Sequence, residues 1–433
     1  MALVAPLGNV HSRRRSDQTS IQSTDPLPSP SSNRIPRRIG PVGATLSLLF
    51  IGVATLTPTG GAAPSVGSLC LGCGEFGTTD VVLNILLFAP LGLVLGRAGI
   101  RPLIIMGVGL FLSGGIEALQ FLLPGRAPTL RDVLTNSLGC GLGGLVAIHL
   151  HGWLAPGRRA LVLLWSAVIG LLVAIGLTGS LLRFDPPAGI YFGQWVQEQG
   201  HLEQWSGTVR EAYVSGIAVP EGPSSSSSSL RTSLMDSAHF RMVGTAGAAT
   251  RRLGGIFGLL TDAREEALLV GPDGDDLVVR VRRRTAIWRL RAPEFRFRDA
   301  LRAVEPGAAL AIEFHGTPQG GCALVNDVQH CVGRVAAGST WKLARPFDGL
   351  PPLAQRLLDA LTLFILALPF GLLLRSAPRG QALAATTVSL VGFPAVAWWS
   401  GLALPAPGEW LGLVCAIVIG AVLNARRRAP GSA

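Results

Sequence analysis

The chain has 433 residues, 48% of them hydrophobic and 15% charged, with a mean hydropathy of +0.44. That balance points to an integral membrane protein rather than a soluble one. The net charge of +11 comes almost wholly from arginine, and much of it lies in short segments beside apolar runs, which assigns it to membrane orientation and away from nucleic acid.

Residues 1–40 are polar, rich in Ser, Pro and Arg, and lack helical or strand periodicity, so they read as a disordered tail. The first apolar segment, Val42 to about Leu56, follows Arg34, Arg37 and Arg38. Gly61-Ala62-Ala63 after it would suit a cleaved signal peptide, but the long tail in front favours an uncleaved anchor. Cys70 and Cys73 form a C-x-x-C without a second Cys/His pair nearby, which reads as a local disulfide or two idle thiols rather than a metal site.

Seven further apolar runs follow, at about Val81–Arg97, Leu103–Leu123, Leu130–Leu150, Leu161–Leu182, Leu357–Leu374, Ala382–Leu404 and Trp410–Leu423. Each is near the roughly 20 residues a bilayer needs. Eight spans put both termini on one side. Arg97, Arg101, Arg158, Arg159, Arg375, Arg379 and Arg426 to Arg428 share that side with the basic tail, so the positive-inside rule makes it cytoplasmic.

Between the fifth and sixth spans, Phe184 to about Arg356 shows short β-branched and aromatic runs separated by turns, as in Gly189–Phe192, Gly254–Leu260, Ala267–Gly271, Asp276–Val281 and Ala309–Phe314. This pattern predicts an extracytoplasmic β-sandwich. Ser224 to Ser229 reads as an exposed low-complexity loop. Asn326-Asp327 suits a two-residue hairpin turn, and counting outward pairs Val325 with Val328 and Cys322 with Cys331. The fourth pair is non-hydrogen-bonded, with a Cα spacing of roughly 4.5 Å that allows a disulfide. Gly271-Pro272-Asp273-Gly274 reads as a turn more simply than as a calcium loop. Arg280, Arg282, Arg283, Arg284 and Arg289 read as a solvated strand face that an anionic polymer or head group would also suit.

Inside the apolar runs a small polar set recurs: Asp80 and Asn84, then Glu117 and Gln120, then Arg126, Asp132 and Asn136. Each pair at i,i+3 or i,i+4 shares a helical face, and polar groups in lipid are costly. With the arginine-derived topology all three faces reach the outer third of the bilayer. Three uses compete: a network holding the helices together, with Arg126 or Arg131 pairing to Asp132 or Glu117; a site for the head group of a lipid-linked or amphiphilic molecule; and catalysis with Glu117 or Asp132 as acid or base. No Ser/His/Asp set, metal-ligand cluster or phosphate loop accompanies them, so no cofactor or metal is expected and a non-enzymatic role is favoured.

The pattern Asp80-x-x-x-Asn84-x-x-x-Phe88-x-Pro90-Leu91-Gly92, then Ser113-x-x-x-Glu117-x-x-Gln120-Phe121, then Arg126-x-x-x-x-Arg131-Asp132-x-x-x-Asn136-x-x-Gly139 resembles the VanZ-like family of bacterial membrane proteins over roughly residues 42–150. The resemblance implies a bacterial cytoplasmic-membrane protein and a possible link to resistance to the glycopeptide antibiotic teicoplanin. Gly258-Leu259-Leu260-Thr261-Asp262 and Asp275–Val281 resemble strands of a concanavalin-like, laminin G type jelly roll. The expected whole is an α-helical polytopic membrane protein of about eight spans with an inserted all-β sandwich. It divides into a cytoplasmic tail (1–40), a five-span VanZ-like module (41–182), the sandwich (183–356), three closing helices (357–425) and a basic cytoplasmic end (426–433). Its expected partners are membrane lipids and an envelope glycan or lipid-linked ligand, and the expected function is recognition of that ligand. An enzyme acting on a lipid-linked envelope precursor and a structural membrane scaffold are the alternatives.

Overall fold

The computed structural model describes residues 39–57, 76–123, 128–196, 202–344 and 350–426. The expected tails, the Cys70/Cys73 pair and Arg126 lie outside these residues. The unit from Gly40 onward is described below.

The helices are α1 (Ile39–Leu56), α2 (Gly77–Arg97), α3 (Pro102–Gln120), α4 (Leu130–Trp153), α5 (Arg158–Leu181), α6 (Ser227–Asp236), α7 (Pro352–Leu374), α8 (Arg379–Trp399) and α9 (Pro407–Arg426). Six of them, α2, α3, α4, α5, α7 and α8, are long and apolar enough to cross a membrane; α1 and α9 carry shorter apolar stretches, Pro41–Leu56 and Pro407–Leu423. Beside a smaller cluster of Leu164, Val168, Phe370 and Ala385 between α5, α7 and α8, two helical cores form. One joins α1 to α4 through Ile51, Phe88, Leu91, Ile105, Ile116 and Cys140. The other joins α5, α7, α8 and α9 through Ile175, Leu363, Ala367, Phe393, Leu413 and Ala416.

Lipid tails are as apolar as leucine, so burial alone does not drive such helices together; close backbone approach does. The α2/α4 seam is built for it. A Cβ on Gly92 would lie 1.9 Å from the Cys140 carbonyl oxygen, one on Gly139 2.4 Å from that of Ile85, and one on Gly143 2.1 Å from that of Ala89. The α7/α9 seam repeats the device, with Gly371 against Ala416 and Gly412 against Ala360.

The insert is a β-sandwich of two antiparallel sheets. The first runs in the order β4 (Gly222–Pro223), β1 (Tyr191–Trp195), β6 (Phe257–Thr261), β7 (Glu266–Asp273), β8 (Asp276–Val281) and β9 (Phe295–Phe297). The second runs β12 (Val328–Val332), β11 (Gly320–Val325), β10 (Ala309–Thr317), β5 (Ala238–Thr245), β2 (Thr208–Val214) and β3 (Ile217–Ala218). Period-2 alternation sets what the second sheet hides, whereas β6 and β7 of the first are buried on both faces. In β10, Leu310, Ile312 and Phe314 are buried while Ala311, Glu313 and His315 face out. Phe240 of β5 meets Phe257 of β6 at 4.8 Å and Phe314 meets Phe295 of β9 at 5.1 Å, closing the core between the sheets.

The hairpin forms in the expected register, with Val325 opposite Val328 and Cys322 opposite Cys331. Asn326 and Asp327 have φ of 42° and 70°, as a type I′ turn requires. The Asn326 side chain also accepts from the Ala311 amide at 2.7 Å and donates to the Ala309 carbonyl at 2.9 Å, tying the turn to β10. Cys322 and Cys331 are disulfide-bonded, with Cα atoms 4.1 Å apart and a sequence separation of 9. Loop-closure entropy for a ring of that size is worth about 2.5 kcal/mol. Cys322→Ser is therefore expected to lower the sandwich's unfolding free energy by about that amount, and denaturant melts with and without reductant check it: the wild type should fall to the variant's midpoint on reduction.

Two expectations are corrected. The serine run is not an exposed loop: Ser227–Asp236 is helix α6, because Leu230 and Leu234, one turn apart, are both fully buried against the sandwich. Nor do the arginines form one solvated face. Arg280 pairs with Glu294 at 2.9 Å and Arg282 with Glu265 at 2.9 Å, whereas Arg283 is 2% exposed. Its guanidinium donates to the Leu182 and Pro318 carbonyls at 2.7 and 2.8 Å and lies over the rings of Phe184 and Phe295. Burial pushes its pKa down to about 9, which leaves it charged at neutral pH. Arg283 thereby fastens the sandwich to the end of α5. Asp273 and Asp276, on either side of the turn between β7 and β8, both bind Arg296, at 2.5 and 3.0 Å.

Candidate functional site

The polar set gathers around the first turn of α4. Thr129 is the N-cap, and its side chain accepts from the Asp132 amide at 3.1 Å. In the usual capping box the acidic residue at the third helical position reaches back to the N-cap amide. Here Glu117 of α3 takes that amide instead, at 2.8 Å. The Asp132 carboxylate is left to face α2, where it accepts from Asn84 at 2.9 Å. It also stays near the positive end of the α4 dipole, which suits an anion.

Arg131 is the cation of the cluster. Its guanidinium lies 2.9 Å from Asp80 and 3.6 Å from Asp132, so one fork faces two carboxylates carried by two helices. Asn84 also reaches Thr135 at 3.3 Å. Asp80, Asn84, Arg131, Asp132, Thr129 and Glu117 thus form one chain of contacts across α2, α3 and α4.

The remaining predicted residues lie apart from it. Asn136, one turn further along α4, donates to Ser113 of α3 at 2.8 Å; its Oδ1 is buried and has no donor among the described residues. Gln120 donates to the Thr55 carbonyl of α1 at 2.9 Å. The set therefore divides into one charged network and two local ties, and only the network carries both signs of charge. It can hold or exchange hydrogen-bond partners with a polar, ionic group. Among the described residues no group of three or more His, Cys, Asp or Glu side chains suits a metal ion.

The network also touches the sandwich; the sequence placed both on one side of the membrane but named no residue contact between them. Arg291 lies over the Phe76 ring at 4.3 Å and within electrostatic reach of Asp80, and its amide donates to the Thr79 hydroxyl at 3.3 Å. A Cβ on Gly77 would meet Arg131 at 3.0 Å and Arg289 at 3.2 Å. Sequence order hides this meeting, since Asp80 and Arg291 are joined only by the fold.

A second polar cluster was not anticipated. The 3-10 segment Ala337–Leu343 packs against α7 and α9. Ser339 and Trp341 both donate to Asp359 of α7, at 2.9 and 2.8 Å, and the buried Glu409 of α9 accepts from the Gly338 and Ala406 amides. The signal was a lone acidic residue in each helix, Asp359 two turns into α7 and Glu409 in the first turn of α9, beside otherwise apolar runs.

Fold and site together define a multi-pass helical membrane protein whose charged inter-helix network lies under an inserted β-sandwich. Residues 38–151, which hold α1 to α4, match the family model described as VanZ/LLP1, so this helical segment is similar to that family. The match ends before α5. No curated protein and no solved structure matches the chain.

Proposed function

We propose that this protein recognises a lipid-linked or glycan component of the bacterial cell envelope at the outer face of the cytoplasmic membrane. The network around Arg131 engages the polar head group, and the sandwich positions the part beyond the membrane. One observation supports this above the others: sandwich residues Arg289 and Arg291 stand beside Gly77, Phe76 and Asp80, so a single ligand can touch both parts. Both termini are then cytoplasmic, as the arginine distribution requires. A link to glycopeptide resistance would follow from binding such a component.

A second reading has its own support. Asp80, Asn84, Arg131 and Asp132 satisfy one another, as a network that only holds helices together would. Native mass spectrometry of the purified chain separates the two. Recognition predicts a bound lipid or glycan in the wild type that is lost in Glu117→Gln and Asp132→Asn while both variants stay folded. A purely structural network predicts no such ligand and variants that unfold. Retained binding with lost turnover would instead mark an enzyme acting on the same component.

A further inference from the structure

The strand β8 leads into a short turn, Arg284–Ala286, followed by Ile287 and Trp288. Both are exposed, at 66% and 62%, which is unusual for large apolar side chains side by side. The turn is held by backbone bonds, Ile287 to Arg284, Trp288 to Thr285 and Arg289 to Ala286, at 3.0 to 3.1 Å. Arg289 has φ of 51°, which reverses the chain and leaves the two apolar residues at the tip.

Each end of this ledge is tied to a membrane helix. The Arg284 amide donates to the carbonyl of Arg183, two residues beyond the end of α5, at 3.0 Å. The Arg291 amide bonds to Thr79 in the first turn of α2. The tip therefore lies within about one or two helical turns of the ends of two spans, given a rise of 1.5 Å per residue. Other aromatic groups mark the same level: Trp398 and Trp399 close α8 and are 69% and 81% exposed, and a Cβ on Gly401 just after them would meet Gln319 of the sandwich at 2.6 Å. Tryptophan favours the head-group level of a bilayer, where its ring is half solvated. Arg284 flanks the tip and is an exposed cation, and a cation at that level attracts anionic lipid.

We infer that Ile287 and Trp288 form an interfacial anchor that inserts into the head-group layer of the membrane beside α2 and α5, with Arg284 selecting anionic lipid. The sandwich is thus held to the bilayer surface by lipid as well as by its covalent links. Ligand recognition at the Arg131 network is a separate matter, and the anchor stands whether or not that holds.

Nitroxide depth measurement tests it on the full chain in nanodiscs. Cys70, Cys73, Cys140 and Cys415 are replaced by Ala, and a label is placed at Ile287→Cys, with Val328→Cys, 58% exposed at the hairpin turn, as the aqueous control. The expected result is a several-fold higher ratio of oxygen to nickel-chelate collision at 287 than at 328. A Trp288→Cys label should repeat it. Equal nickel accessibility at 287, 288 and 328 would overturn the anchor. Nanodiscs of phosphatidylcholine alone and with phosphatidylglycerol test the cation: the label should move deeper with the anionic lipid, and Arg284→Gln should abolish that difference. The same depth in both bilayers would overturn the lipid selection.

Discussion

Gly143→Ala is expected to destabilise the helical module by about 1–3 kcal/mol, although it adds one methyl group and improves helix propensity. The new Cβ would lie 2.1 Å from the Ala89 oxygen, 2.9 Å from the Ala89 carbonyl carbon and 2.9 Å from the Leu93 nitrogen. All three are backbone atoms, so no rotamer change relieves the clash and α2 and α4 must move apart. The Asn84–Asp132 and Asp80–Arg131 contacts bridge the same two helices and lengthen with them. Gly141→Ala is the matched control. It lies on the same helix, its Cβ comes no nearer than 3.4 Å to Met106, and it should be neutral or stabilising by up to about 1 kcal/mol. Thermal unfolding of both variants in one detergent reads the difference. Equal melting points would show that the seam is not the close-packed one described.

The second large effect belongs to Arg131. Its side chain is 11% exposed, and it faces Asp80 and Asp132, which are 37% and 24% exposed. Removing one partner of a fully buried ion pair costs about 3–5 kcal/mol, because the other charge is left without compensation. Partial solvent access to both carboxylates reduces that here, and Arg131→Met is expected to cost about 1–3 kcal/mol. Adding Asp80→Asn and Asp132→Asn to Arg131→Met should recover much of the loss, since the stranded like charges are gone. Arg131→Lys should be intermediate, because an ammonium lacks the planar fork that reaches two carboxylates. The melting points of this series check the argument: a triple variant no more stable than Arg131→Met would mean that the cation, not the exposed pair of anions, sets the cost.

Much of the architecture was legible because it follows from local chemistry. Apolar length alone marks α2 to α5, α7 and α8, and the turn residues Asn326 and Asp327 fix a register that places Cys322 opposite Cys331. Short β-branched and aromatic runs between turns located β1, β6, β7, β8 and β10. Other elements were hidden by weak local signals. Helix α6 begins in a serine run that resembles a loop, and only the burial of Leu230 and Leu234 holds it. Arg283 stands in a row of arginines that looks uniform, yet it alone turns inward, because the end of α5 brings it the Leu182 carbonyl and Phe184 supplies a ring.

The polar set opened the same way. Its members and their helices were visible as costly groups in apolar runs, and helical spacing was enough to put Asp80 with Asn84 and Glu117 with Gln120 on shared faces. Which of them meet was not visible. Glu117 accepts from the Thr129 amide, Asn136 turns to Ser113, and Gln120 reaches α1.

The sequence by itself determined the membrane class, the sandwich insert, the hairpin disulfide and the candidate residues, since each depends on neighbours along the chain. Only the tertiary structure decided that Arg131 joins Asp80 to Asp132, that the sandwich arginines stand over the same site, and that Asp359 and Glu409 hold the 3-10 segment. Those contacts link residues far apart in sequence, and they form only when glycine seams let backbones approach closely enough for short polar side chains to meet.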